Sequence, residues 1–381
     1  MSLKEAFEKT ENQQKEPVEQ YLLHGVKVNV APPEKKFAED LFDSLAAIPT
    51  GRNAIEDMKK YKVDFYLETA LGTAGGYFDP ENNRIVMAKS LGMDFMEFAL
   101  VHEARHLWQN NQGRSEAEAQ NLDYATRLMI NRATEADAQT QAILACKEWE
   151  AQGHKAPMLR FTKHYAPLVR RFDKSQNPSD AFKGWYDDER ICASYEQGYD
   201  VEPALSGLTE EPDDRPYVSM KPAEISKFCG GERVDGFEAF LESGQARQVH
   251  RLTKTAMELY DESAAAKGAP RDPSLKDVPL RALAGNSGAQ IYAMKYLKET
   301  KKMFNPSTAD TPQKKEAYAI VSNCVDLIKR INATEVASGK GNGDAEKALK
   351  AETKKMRAAT KSAANHSADG GILLIRRGNQ R

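Results

Sequence analysis

The chain has 381 residues, 40% of them hydrophobic and 29% charged, and a net charge of −2. That is the balance of a soluble globular protein long enough for two ordinary domains and a large core. It holds no run of about 18 apolar residues that would read as a membrane helix, and its near-neutral charge argues against a whole-chain nucleic-acid binder.

Residues 1–20 open with MSLKEAFEKTENQQKEP, which is polar and lacks an apolar h-region. They read as a mobile lead-in, not as a secretory signal. A cytoplasmic protein is expected, although export by a dedicated secretion system would need no such signal. VKVNVA at 26–31 alternates valine with polar residues and predicts a strand. PPEKKFAEDLFDSLAAI then places Phe37, Leu41, Leu45 and Ile48 at helical spacing, and PTGRN after it predicts a turn. NAIEDMKKY predicts a short helix. In VDFYLETA, Val63, Phe65 and Leu67 alternate with Asp64, Tyr66 and Glu68, the pattern of a half-buried strand. AGGYFDPENNRIVMAKS reads as two strands around a DPENN turn.

MDFMEFALVHEARHLWQNNQG predicts a helix of about 18 residues closed by Gly113. A second, long helix is expected from about Glu116 to Glu150. Beyond about 154 no strand is predicted. LRFTKHYAPLVRRFDK, DAFKGWYDDERICASYEQGY, FEAFLESGQARQVHRLTKTAMELYDESAAA, SGAQIYAMKYLKETKKMF and EAYAIVSNCVDLIKRI all read as helices. Residues 201–235 form a Pro-, Gly- and acid-rich break that marks a soft boundary. From about Glu335 the chain is rich in Ala, Lys, Gly, Ser and Asn and reads as a disordered tail or a frayed helix. Lys340 to Arg381 holds ten Lys/Arg and four Asp/Glu, a local +6 against −8 elsewhere. A solvated tail is expected there, with at most a weak contact to an acidic partner or RNA. The four cysteines, Cys146, Cys192, Cys229 and Cys324, are scattered and form no C-x-x-C pair. They read as buried thiols.

The chemistry concentrates in VHEARH. His102 and His106 fall four apart and share one face of a helix. Two imidazoles so placed can converge on one Zn2+ at about 2.0–2.1 Å. Glu103 then stands beside the metal. There it can take a proton from a zinc-bound water, whose pKa the ion lowers to about 7. Phe95, Phe98 and Ala99, with Leu91 ahead, and Leu107 and Trp108 behind supply the apolar setting that holds ligands rigid. No third histidine follows in HEARHLWQNNQG, so a carboxylate from the next helix is expected. Glu116, Glu118, Asp123, Glu135 and Asp137 are the candidates. Glu116 and Glu118 read as helix N-terminal acids. A helix running from Glu116 to Glu135 covers roughly 28 Å and overshoots the histidines, so reaching them needs a longer connection or a tilted packing. NRATEADAQTQA nonetheless favours Glu135, because it sets two carboxylates in an alanine seam where an acid needs a partner. Asp137 then orients a histidine N–H or serves as ligand in its place.

HEARH followed by TEADAQTQA resembles the gluzincin branch of zinc metallopeptidases. The E-A-D run and the hairpin GYFDPENNRIVMAKS also look like those of ImmA/IrrE-type bacterial metallopeptidases. More closely, the region resembles bacterial domains described only as "putative metallopeptidase" and otherwise of unknown function. The resemblance spans roughly 25–200. It implies an α+β fold, with a zincin-like domain at 21–200 built from a small sheet and the HExxH helix. A mostly helical region at 201–335 and a basic tail at 336–381 follow. It further implies His102, His106 and Glu135 as zinc ligands, Glu103 as general base, and a peptide or protein substrate. Tyr195, Tyr186 and His164 are candidates for an oxyanion-steadying group. Trp185, Cys192 and Tyr199 fall on one helical stripe, which is a core pattern. Arg105 faces away from the histidines and reads as a surface or salt-bridge residue. The strand RIVMAK could take an extended substrate at a sheet edge. The competing readings are a binding or regulatory protein with a structural or vestigial zinc, and the same site acting on a non-peptide amide.

Overall fold

The computed structural model describes residues 18–68, 75–201, 203–204 and 211–281. The helices expected at 287–304 and 316–331, the basic tail and Cys324 lie outside the described residues. Within them the fold is α+β, a small sheet followed by helices.

Five strands form the sheet: β1 (Glu19–Leu23), β2 (Val26–Val30), β3 (Asp64–Glu68), β4 (Gly76–Asp79) and β5 (Arg84–Ala88), in the order β1-β2-β3-β5-β4. β2, β3 and β5 run parallel; β1 and β4 are antiparallel to their neighbours. The alternation read in VKVNVA buries Val26, Val28 and Val30. β1 reaches back into the stretch expected to be a lead-in. A two-residue turn joins it to β2, with positive φ at both His24 (47°) and Gly25 (87°). That is the turn whose twist matches a hairpin.

Helix α1 (Lys35–Ala47) and helix α2 (Pro49–Lys60) make the crossover from β2 to β3. PTGRN is not a turn but the start of α2. Pro49 sits at its first position, where its missing N–H is no loss and its ring forces Ile48 into an extended cap. Gly51 is there for close approach: a Cβ on it would lie 2.1 Å from the Leu45 carbonyl oxygen. β5 is not an edge strand, because β3 and β4 pair with both its sides. The edge belongs to β4.

Helix α3 (Met93–Gln109) is buried on nearly every face. It ends in a π-helical turn, Asn110–Arg114, where Gly113 takes φ 105°. The long second helix expected from Glu116 is instead two helices. The short α4 (Ser115–Glu118) is followed by a break, and α5 (Tyr124–Ala151) starts afresh where the Asp123 carboxylate accepts from the Thr126 N–H at 2.7 Å. Helix α6 (Ala156–Ser175) kinks at Tyr165, two residues before Pro167. The segment read as one helix at 180–199 is two, α7 (Pro178–Trp185) and α8 (Glu189–Glu196), and a second π-helical turn, Gln197–Val201, extends α8.

The 237–266 segment also breaks, into α10 (Phe237–Glu242), α11 (Gly244–Arg247), β6 (Val249–His250) and α12 (Arg251–Ala266), after the short α9 (Pro222–Ser226). β6 pairs in parallel with β7 (Leu280–Arg281). Strands of two residues are too short for alternation to register, which is why none was expected after 154. One apolar cluster runs from Val26 to Ala246 and takes in Ile225, Phe228, Cys229 and Val234 of the Pro- and Gly-rich break. A smaller one joins Tyr124 and Leu128 to Val249, Met257, Leu275 and Val278. Cys146, Cys192 and Cys229 are free and buried. No helix among the described residues is long and apolar enough to cross a membrane.

Candidate metal centre

α3 presents His102 and His106 one turn apart, with ring planes at 89° and Nε2 atoms 2.9 Å from each other. α5 lies against α3 and brings Glu135 to the same point. Its Oε2 is 3.4 Å from His102 Nε2 and its Oε1 is 3.4 Å from His106 Nε2. One ligating atom from each residue lies within 4.8 Å of the other two. Four-coordinate zinc with bonds of 2.0–2.1 Å spaces its donors about 3.3–3.4 Å apart, so the triad has nearly the right span. The break at 119–123 solves the overshoot. Because α5 starts at Tyr124, Glu135 lies only three turns into it and returns level with the histidines.

The protonation pattern follows from one amide. Gln109 donates through Nε2 to Thr134 O at 2.9 Å and to Asp137 Oδ2 at 2.8 Å, which turns its Oε1 toward His106 Nδ1 at 2.8 Å. An oxygen there accepts, which suits a proton on His106 Nδ1 and leaves Nε2 to face the centre; the Arg114 guanidinium also approaches that Nδ1, at 3.4 Å. Two buried atoms of the triad, His102 Nδ1 and Glu135 Oε2, have no hydrogen-bond partner. A buried carboxylate oxygen without a partner is costly, and a cation between the three residues would satisfy it. The donor set and the orphaned oxygen therefore fit a divalent metal.

Glu103 is buried beside the triad, and its Oε2 accepts from the Phe78 N–H at 3.0 Å. Burial pushes its carboxyl up to about 7, with Glu135 adding to the rise and His102 opposing it. Gly75 O pairs inward with Ala88 N, so alternation turns the main-chain groups of Gly76 and Phe78 toward the open edge of β4, on the side of Glu103.

The other expected residues divide. Asp137 does not reach a histidine directly. It binds Arg105 with two hydrogen bonds, 2.6 and 3.2 Å, and acts on His106 only through Gln109. Arg105 is in a salt bridge, as one reading had it, but is 7% exposed and stacked 3.6 Å over Trp108, so it is no surface residue. Helix α3 is buried all round, and its far side needs a paired charge. On that face Val101, Arg105 and Trp108, with Asp57 and Arg233, line a cavity of about 350 Å³. Glu116 and Glu118 stay on α4, where Glu118 pairs with Arg114 at 2.8 Å. Asp123 is spent as a helix cap. Tyr186 packs among Phe182, Trp185 and Phe240, and His164 stands edge-on to Phe95. Tyr195 does lie at the centre, where burial and the neighbouring Glu135 push its ionisation well up, and it is stacked at 4° on Tyr199.

Three further contributors stand outside the sequence expectations. Tyr199, assigned to a core stripe, donates its hydroxyl to Glu135 Oε1 at 3.0 Å. Gln109 sits three residues past His106, on the same helix face, and that spacing was the available signal. Tyr165, at the kink of α6, closes the same side: its hydroxyl accepts from Gln139 at 2.8 Å, and burial beside Glu135 and Glu103 pushes its ionisation well up.

Residues 19–214 match the model of a family described as "Putative metallopeptidase family (DUF6782)". The match covers more than half of the chain, and the chain belongs to that family. No curated protein and no solved structure matches it.

Proposed function

We propose that this member of the family is a zinc-dependent peptidase, with His102, His106 and Glu135 as the metal ligands and Glu103 as general base. The observation that carries the reading is the buried triad with an unpaired Glu135 Oε2, flanked by a carboxyl group that burial has made a better base. Zinc bound there would supply a polarised water and a Lewis acid for the scissile carbonyl. With the metal held by His102, His106 and Glu135, Glu103 would serve as general base toward the attacking water and then as proton donor to the leaving amine. The Phe78 N–H holds the Glu103 carboxylate in place for both transfers. The outer edge of β4 can pair with an extended peptide and lay the scissile bond along α3, a role the sequence reading had given to RIVMAK.

The test is Glu103→Gln. It should keep zinc near one per chain by elemental analysis and lower the hydrolysis of a fluorogenic peptide library by about 10²–10⁴-fold. Parent-like turnover in that variant would remove the mechanism. A parent protein that holds zinc yet cleaves nothing would favour a binding or regulatory role instead.

A further inference from the structure

The proposed ligand Glu135 has two oxygens in different situations. Oε1 accepts from the Tyr199 hydroxyl at 3.0 Å; Oε2 is buried, has no hydrogen-bond partner and faces His102 Nε2 at 3.4 Å. Tyr199 is itself held by a built arrangement. Arg132 and Glu135 stand three apart on α5, and Glu196 and Tyr199 stand three apart along α8 and its π-helical turn. The two pairs meet as successive rungs, a buried Arg132–Glu196 ion pair and the Tyr199–Glu135 hydrogen bond. The wider π-helical turn sets Tyr195 and Tyr199 ring on ring, centroids 5.7 Å apart, and Trp185 backs Tyr195 at 5.5 Å.

We propose that Tyr199 is a positioning residue that commits Glu135 to ligate the metal through Oε2 alone. This rests on the zinc reading above. Occupied by the hydroxyl, Oε1 is withdrawn from the ion, and the carboxylate cannot swing to bind through both oxygens. The coordination number stays low and a position is left for water, which a catalytic site requires and a closed structural site does not. Gln109 performs the matching task for His106 by fixing which nitrogen faces the centre.

The experiment is a titration of the metal-free full chain with Co2+, followed by visible absorbance, for the parent, Tyr199→Phe and Tyr186→Phe. Tyr199→Phe keeps the ring and its stack and removes only the donor. It should bind Co2+ about 10–100-fold more weakly, with the weaker d–d bands of a higher coordination number. Tyr186→Phe removes a buried hydroxyl elsewhere in the core and should match the parent in both. A second measurement needs no variant. The infrared difference spectrum of 13C-glutamate-labelled parent on zinc uptake should show the wide antisymmetric–symmetric splitting of a carboxylate bound through one oxygen. Parent-like affinity and spectrum in Tyr199→Phe, or a narrow splitting in the parent, overturns this inference and leaves the zinc reading standing. A parent that takes up no metal overturns both.

Discussion

Two buried carboxylates on neighbouring helices, Glu135 and Glu196, meet opposite fates. Glu196 is 2% exposed and fully provided for: Arg132, Arg281 at 2.9 Å, the His250 main-chain N–H and ring, and the Thr253 hydroxyl at 2.8 Å all converge on it. Burial would raise its carboxyl, but Arg132, His250 and Arg281 hold it far below the usual range. Glu135 is equally buried, yet one oxygen has no hydrogen-bond partner and its neighbours are two imidazoles whose Nε2 atoms crowd together. The protein completes one charge centre with its own groups and leaves the other short of a cation. A buried charge that is complete points to architecture; one that is incomplete points to a ligand.

The largest effect should come from the complete centre. Glu196→Ala strands Arg132 and Arg281 and should cost about 3–5 kcal/mol in denaturant unfolding. Glu135→Gln, measured without metal, should change stability by only about 1 kcal/mol, because its surroundings were never fully satisfied. Equal losses in the two variants would erase the contrast. Next, zinc at about 1,000 times its dissociation constant should stabilise the parent by about 4 kcal/mol and leave Glu135→Gln near its metal-free value. Equal thermal shifts in both would place the ion elsewhere.

A third prediction is a pH dependence. The Glu103 carboxyl sits at about 7 when folded and metal-free, above its ordinary 4.5. The folded state therefore keeps a proton that the unfolded chain releases, and stability falls as pH rises between those values. Glu103→Gln escapes that loss, so with chelator present it should exceed the parent by roughly 3 kcal/mol at pH 8 and match it near pH 4. A pH-independent difference would contradict it. Glu196 behaves in the other sense. Its contribution is present above the unfolded value and fades only as strong acid is reached, so unfolding of the Glu196 network should be flat from pH 5 to 8. The smallest effect is expected of Gln109→Ala, which frees His106 to change tautomer and should weaken zinc about 10-fold with little change in stability.

The contrast also explains what the sequence revealed. HEARH was legible because its spacing is set by one helix, and the strands around DPENN because alternation survives one buried face. Glu135 stood out among several acids only by its alanine setting; the decisive fact, where α5 begins, depends on an Asp123 cap that looks in sequence like any other acid. The single helices read across 116–150, 180–199 and 237–266 each broke where a polar side chain or a tight turn captures the main chain: Asp123, then Asp188 onto the Ile191 N–H, then Ser243 onto the Ala246 N–H. Local capping bonds of this kind compete with helix propensity and leave the apolar period intact. Tyr199 was hidden for a related reason. A tyrosine on a core stripe has the same spacing whether its hydroxyl is idle or holds a ligand, and the π-helical turn that aims it has no sequence period of its own.

The interruption between α3 and α5 has one more consequence, for how this family can vary. Glu135 owes its place to the start of α5, eleven residues upstream at Tyr124, and not to the length of the chain before it. Residues added or lost at 119–122 leave the register of α5 untouched, although they disturb the main-chain bonds that Asn121 and Asp123 make with Val218. One residue lost between 124 and 135 turns the carboxylate by about 100° and lifts it by about 1.5 Å, away from the histidines. Relatives should therefore differ in length more readily ahead of the Asp123 cap than between it and Glu135, so that the cap serves as a ruler's zero mark.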